Sequence, residues 1–196
     1  MKLRMVIPLE IALICLAGAI YYGYHAVKGP DPKPKPDASR TASATPSPAP
    51  TVDTTRLVNK KGGFAIGVPD NVTAKKVDFA VQMTTPDKVM SVLAGPAEVG
   101  SISVSGKAFI KAMKQAYKNV RVVRTESKKI DGHKAKATYG RAVSAKKVNL
   151  SFVNVVIKAK PRNYAINAFT AAGSDPLFVV PRLNAIINSF EVLEKP

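Results

Sequence analysis

The chain has 196 residues, 46% of them apolar and 22% charged, with 30 Lys+Arg against 13 Asp+Glu, a formal charge of +17. A single cysteine excludes an internal disulfide framework. Two histidines exclude a His-rich metal cluster and leave little material for His-centred catalysis.

Lys2 and Arg4 precede an apolar stretch over residues 5–24. At about 1.5 Å per residue, roughly twenty helical residues cross a hydrocarbon core of about 30 Å, so the stretch has spanning length. Pro8 and Glu10 both fall in its first third, where a proline sits in the first turns and a carboxylate costs less than at the midplane. The uncharged part, residues 11–24, also suits the apolar region of a cleavable signal peptide. Neither small-residue site fits cleavage well: cutting after Ala17-Gly18-Ala19 truncates the apolar run, and Tyr24-His25-Ala26 carries a bulky tyrosine. Cys15 follows Ile14 rather than a small residue and is no lipid acceptor. We therefore expect an uncleaved signal anchor over 1–28, with Tyr21, Tyr22 and Tyr24 at the interface and the rest of the chain outside the cytoplasm. The alternative is secretion after cleavage. Cys15, Ala19 and Gly23 form a small-residue stripe that suits close approach of a second membrane helix.

Residues 29–56 form the connector. Seven of the protein's fifteen prolines fall within the 24 residues 29–52, where no apolar side chain is larger than the closing Val52. Such a segment cannot build a core. Prolines at 30, 32, 34 and 36 and at 46, 48 and 50 favour polyproline II, with an extended reach on the order of 70 Å.

The folded domain is expected over 57–196. Phe64, Ile66 and Val68 alternate with small residues, which predicts a strand with one buried face ending at Pro69-Asp70. Two further extended runs are read over 77–83 and 89–94. Phe109, Ile110, Met113, Ala116 and Tyr117 recur at helical spacing, predicting a helix over 105–118 capped by Ser105. Four strand-like runs follow, 120–130, 134–143, 148–159 and 163–172. The first connection is Asp131-Gly132, suited to a type I′ hairpin; the second is the turn 144–147; the third is Lys160-Pro161-Arg162, with Pro161 at the first corner of a type I turn. Links this short force antiparallel neighbours, so the four runs form a meander. Ala135, Ala137 and Tyr139 alternate with Lys134, Lys136 and Thr138, dividing one strand between core and solvent. The apolar phase changes at Phe152/Val153, which implies a bulge or burial of both faces. Ser174-Asp175-Pro176 opens a last helix through Val179, Leu183, Ile186, Ile187 and Phe190, with Pro181 expected to kink it or delay its start.

An antiparallel meander with helices at separated points is an α+β fold, an α/β/α-type sandwich. The order resembles the PsbP-like superfamily, which includes PsbP itself, DcrB-type envelope proteins and small LpqN-type lipoproteins. The resemblance rests on Gly63-Phe64-Ala65-Ile66-Gly67-Val68-Pro69, on Ile130-Asp131-Gly132-His133-Lys134-Ala135, on the Tyr164 strand and on Ile186-Ile187-Asn188-Ser189-Phe190. It covers 62–192 and departs at Asp70-Asn71-Val72, where family members often carry a tryptophan. It implies a non-catalytic module acting through protein contacts.

The residues themselves announce no reaction. Cys15 lies in the apolar segment, and the domain's one histidine, His133, follows Asp-Gly in a tight turn and reads as a solvated hairpin residue. No metal-ligand set, clustered-carboxylate loop or phosphate-binding glycine loop is present, so catalytic, cofactor and metal residues are all expected to be none. What remains is charge, since from Leu57 onward 23 Lys+Arg face 9 Asp+Glu. Nucleic acid is not expected, because the domain lacks an arginine-rich stretch and an RNP-like aromatic run. Lys107, Lys111, Lys114 and Lys118 recur at four, three and four, in a strip about 60° wide on the helix, with no acid between 99 and 125. They are the candidate contacts to a polyanion. The expected function is a membrane-anchored extracytoplasmic accessory module, not an enzyme, contacting an envelope protein or an anionic lipid or polymer surface. The alternative is an envelope enzyme or small-ligand carrier with a cavity between sheet and helices.

Overall fold

A computed structural model describes residues 52–97 and 102–193. The expected membrane span and most of the connector lie outside these residues. Ordered pairing begins at Thr54, three residues before the expected start of the domain at Leu57: β1 (Thr54–Asn59) pairs antiparallel with β2 (Phe64–Pro69).

The chain then builds a seven-stranded antiparallel sheet. Its strands are β3 (Thr73–Val77), β4 (Ala80–Thr84), β5 (Met90–Pro96), β6 (Lys118–Ile130), β7 (His133–Val143), β8 (Asn149–Ile157) and β9 (Tyr164–Ala171), in the order β3-β4-β5-β9-β8-β7-β6. The expected meander is present as β6 to β9, and β9 goes on to pair with β5. Asp131 and Gly132 have φ of 49° and 71°, as a type I′ hairpin requires, and set Ile130 opposite His133. The run read as one strand over 77–83 is instead a hairpin, turning at Asp78 with φ of 48°. The Lys160–Pro161 bond is cis, so Pro161 is not the corner of a type I turn. Composition alone does not distinguish the two isomers.

The phase change in β8 is two-sided burial and not a bulge. Residues 152–157 are all buried and pair without a register break on both sides. The bulges lie in β6, between Lys118 and Arg121 and between Val122 and Arg124. Gly140 sits opposite this irregular stretch, where a Cβ would stand 2.2 Å from the Phe152 ring and 2.6 Å from the Arg121 carbonyl.

Helix α1 (Ile102–Ala116) covers one face of the sheet. It starts earlier than expected and ends two residues sooner, so Ser105 stands inside it and Lys118 opens β6. The turn into the strand is made by Asn119 at φ of 52°. Met113 and Tyr117 pack with Leu150, Phe152 and Ala142 beneath them, and Tyr117 stacks on Phe169 at 6.1 Å.

The opposite face carries helix α2 (Pro176–Asn188) and a second sheet that local pattern did not reveal. The Asp175 carboxylate caps α2 by accepting from the Leu177 amide, and the helix runs continuously through Pro181 with no late start. After it, β10 (Glu191–Val192) pairs with β2, giving a three-stranded sheet in the order β1-β2-β10. β2 is covered on both faces, and not on one as its alternation suggested: Phe64 and Ile66 lie in the core, while Gly67 lies against Ser189 just after α2. Phe64, Tyr164 and Phe190 form an aromatic triad where the small sheet, β9 and the end of α2 meet. The Tyr164 hydroxyl donates to the Gly63 carbonyl at 2.9 Å, and burial holds its pKa above the usual tyrosine value.

Candidate functional site

The two faces of the domain differ in how their cations are used. On the α2 side several cations have partners. Arg56 pairs with Glu191 at 2.6 Å and Lys128 donates to the Asn188 side chain at 3.4 Å. Arg124 lies over the Tyr139 ring at 4.4 Å and 3.5 Å from Glu126. Tyr139 donates to Glu126 at 2.7 Å, and its pKa is raised, first by burial and then by that carboxylate.

Among the described residues, no salt bridge reaches the lysines of α1. Lys107, Lys111 and Lys114 are exposed on the outer flank of α1, away from buried Met113 and Tyr117, and Lys118 is exposed at the start of β6. The helix thus carries three of the four residues expected in the stripe, and the fourth follows it on the strand. No salt bridge among the described residues reaches any of the four.

The β6–β7 hairpin extends this charge. Lys129 stands directly opposite Lys134, and Ser127 opposite Lys136. Ala135 and Ala137 point into the core under α2, so by alternation Lys134 and Lys136 share the α1 face. Like charges directly opposed across a strand pair destabilise it, and no acid beside them offsets the cost. Glu126 pairs in register with core-facing Ala137 and so belongs to the other face, while Asp131 accepts from the Val192 amide of the small sheet. Sequence reading missed the Lys129–Lys134 opposition, although a two-residue Asp-Gly hairpin fixes that register in advance. The α1 side is therefore a cationic surface built on two rigid elements.

Among the described residues no group of three or more His, Cys, Asp or Glu could hold a metal ion. His133 is the first residue of β7, half-buried opposite Ile130. This arrangement offers electrostatic attraction and shape, and brings no nucleophile and base together.

An α1 layer, a seven-stranded antiparallel sheet and a layer made of α2 with a three-stranded sheet define an α+β domain of the PsbP-like fold. Its structural relatives are distant in sequence. Cyanobacterial PsbP (CyanoP) from Synechocystis sp. PCC 6803 superposes with a TM-score of 0.51 at 15% identity, over 76% of this chain and 98% of that one. The Ran-binding protein Mog1p of Saccharomyces cerevisiae gives 0.56 at 7% identity, over 74% and 97%. LpqN of Mycobacterium tuberculosis, involved in cell envelope biogenesis, gives 0.51 at 13%, over 76% and 100%. No family model matches the chain, and no curated protein matches its sequence.

Proposed function

We propose that the protein is a non-catalytic accessory module, anchored by its N-terminal span with the domain outside the cytoplasm, that docks its α1 face on an anionic surface. The observation that carries this reading is the row of lysines on α1 and the β6–β7 hairpin, with no salt bridge to any of them among the described residues. Lys107, Lys111, Lys114 and Lys118 supply the contact, and Lys129, Lys134 and Lys136 widen it. An anionic lipid leaflet or an acidic envelope polymer satisfies the same charges. The involvement of LpqN in cell envelope biogenesis makes an envelope setting a natural one for this fold.

Each lysine near a charged membrane contributes about 1 kcal/mol at low salt, so four act together as about 4 kcal/mol and fade as salt rises. Replacing all four by Glu in a chain of residues 52–196 is expected to weaken binding to anionic vesicles about 100-fold or more, measured by co-sedimentation across a salt series. The melting temperature should hardly move, because all four side chains are exposed. Reversing Lys60, Lys75, Lys76 and Lys158, equally exposed and away from α1, is the matched control. Equal loss in both variants would mean that net charge alone binds. Binding lost to vesicles and retained by one acidic protein would make the partner a protein.

Retention of the span is checked on protein extracted from membranes. The intact mass should correspond to a chain that keeps residues 1–28, and a mature chain starting at Ile20 or later defeats the anchor.

A further inference from the structure

Beneath the N-terminal half of α1 the helix does not close onto the sheet. A cleft of about 250 Å³ remains between Gly106, Lys107 and Ile110 above and strands β6, β7 and β8 below. At about 30 Å³ per water in the liquid, this is on the order of eight water molecules.

Its floor is a polar row running straight across the sheet. Thr125 stands opposite Thr138, Thr138 opposite Asn154, and Asn154 opposite Asn167, on four successive strands. The next row towards the C-terminal end of α1 is Gly140, Phe152 and Phe169, and there the helix packs tightly with Phe109 on Phe152 at 5.7 Å. A β-branched apolar residue at each polar position would have continued that packing.

Asn154 is the decisive side chain. It is 2% exposed, and its Nδ2 donates to Asn167 Oδ1 at 2.7 Å. Its Oδ1 has no hydrogen-bond partner and faces the cleft about 4.0 Å from the Cβ position of Gly106. An amide oxygen buried without a donor costs about 1–3 kcal/mol, a cost that a bound hydroxyl removes. Around it stand the hydroxyls of Thr125 and Thr138, the cationic side chains of Lys107 and Lys136, and the apolar walls of Ile110 and Val156. No carboxylate lines the cleft.

We infer that this cleft binds a small hydroxylated anion, whose hydroxyl donates to Asn154 Oδ1 and whose carboxylate or phosphate lies between Lys107 and Lys136. The chemistry is that of a sugar acid or a polyol phosphate. Lys107 and Lys136 are shared with the docking surface proposed above, whereas Asn154 and Thr138 are not, so it is at those two residues that the two proposals fail separately.

The test is a titration of the full chain in neutral detergent, followed by amide NMR, with D-gluconate and glycerol 3-phosphate as probes. Acetate, an anion without a hydroxyl, and glycerol, a polyol without charge, are the controls. One or both probes should shift the Asn154 side-chain amide and the Gly106 and Thr138 backbone amides saturably, and acetate and glycerol should bind at least about tenfold more weakly. Which probe is tighter identifies the anion. Lys136→Met should weaken the better probe about tenfold, and Asn154→Leu should abolish the response at Gly106 and Thr138. If Asn154→Leu does not fold, Thr138→Val carries the same expectation of an about tenfold loss. The inference is overturned if neither probe saturates, if acetate binds as well as gluconate, or if shifts centre on Lys111 and Lys114 while the Asn154 amide stays still.

Discussion

Replacing Phe64 by alanine is expected to lower the unfolding free energy by about 3–5 kcal/mol and the melting temperature by on the order of 10 °C. The side chain is fully buried, with its ring 5.2 Å from Phe190 in a stacked arrangement and 5.9 Å from Tyr164 edge-on. It therefore loses transfer energy, leaves a cavity and removes two aromatic contacts in one step. These contacts join β2 of the small sheet to β9 of the large one and to the segment after α2, so little around the site can collapse to fill the space. Phe79→Ala is the comparison. That ring is 44% exposed, and its loss should cost well under about 1 kcal/mol. Urea melts of the two variants decide the matter, and equal costs would remove the triad from its place as the clamp between the sheets.

Asn59→Leu is expected to cost about 2–4 kcal/mol through hydrogen bonding alone. Asn59 is 3% exposed, and its Nδ2 donates to the Asp78 and Ala80 carbonyls at 3.1 and 3.0 Å while its Oδ1 accepts from the Gly62 amide at 2.9 Å. One side chain thus fastens the β1–β2 turn to the β3–β4 hairpin. Leucine fills similar volume, so the loss reads out three backbone groups deprived of their partner and no cavity. Asn59→Asp should be at least as costly at neutral pH, since it sets a carboxylate against two carbonyl oxygens. Part of that loss should return as pH falls towards about 4, where the protonated acid can again donate. Melts at pH 7 and pH 4 test the pair, and an Asp variant insensitive to pH would place the defect elsewhere.

The parts of the fold that were legible in sequence are those whose information is local. Asp131-Gly132 and the two other short connections fix the β6–β9 meander, and the change of apolar phase in β8 leaves a bulge or two-sided burial as its two readings, of which the strand has the second. The pairing of β9 with β5 was not legible, because some seventy residues separate the two and neither strand's alternation names its neighbour. The second sheet stayed hidden for a different reason. Its β10 is two residues long and β1 opens with the polar run Thr54-Thr55-Arg56, so neither has an apolar period to detect. Of the candidate surface, helical spacing found Lys107, Lys111 and Lys114, and misassigned Lys118 by extending the helix two residues too far. The polar row under α1 depends on the register of four strands at once. A residue such as Asn154, read alone in Val153-Asn154-Val155, looks like a lapse in a strand and not a member of a set.

The first and last strands both border β2, in the layer across the large sheet from α1. Whatever holds the chain upstream of Thr54 therefore pulls on the side away from the lysines. The two ends of the domain share one pole, and the cationic helix occupies the other. An attachment made upstream of Thr54 therefore leaves the α1 face uncovered. With the large sheet between them, such an attachment and the lysine face occupy separate layers of the domain, and neither contact covers the other.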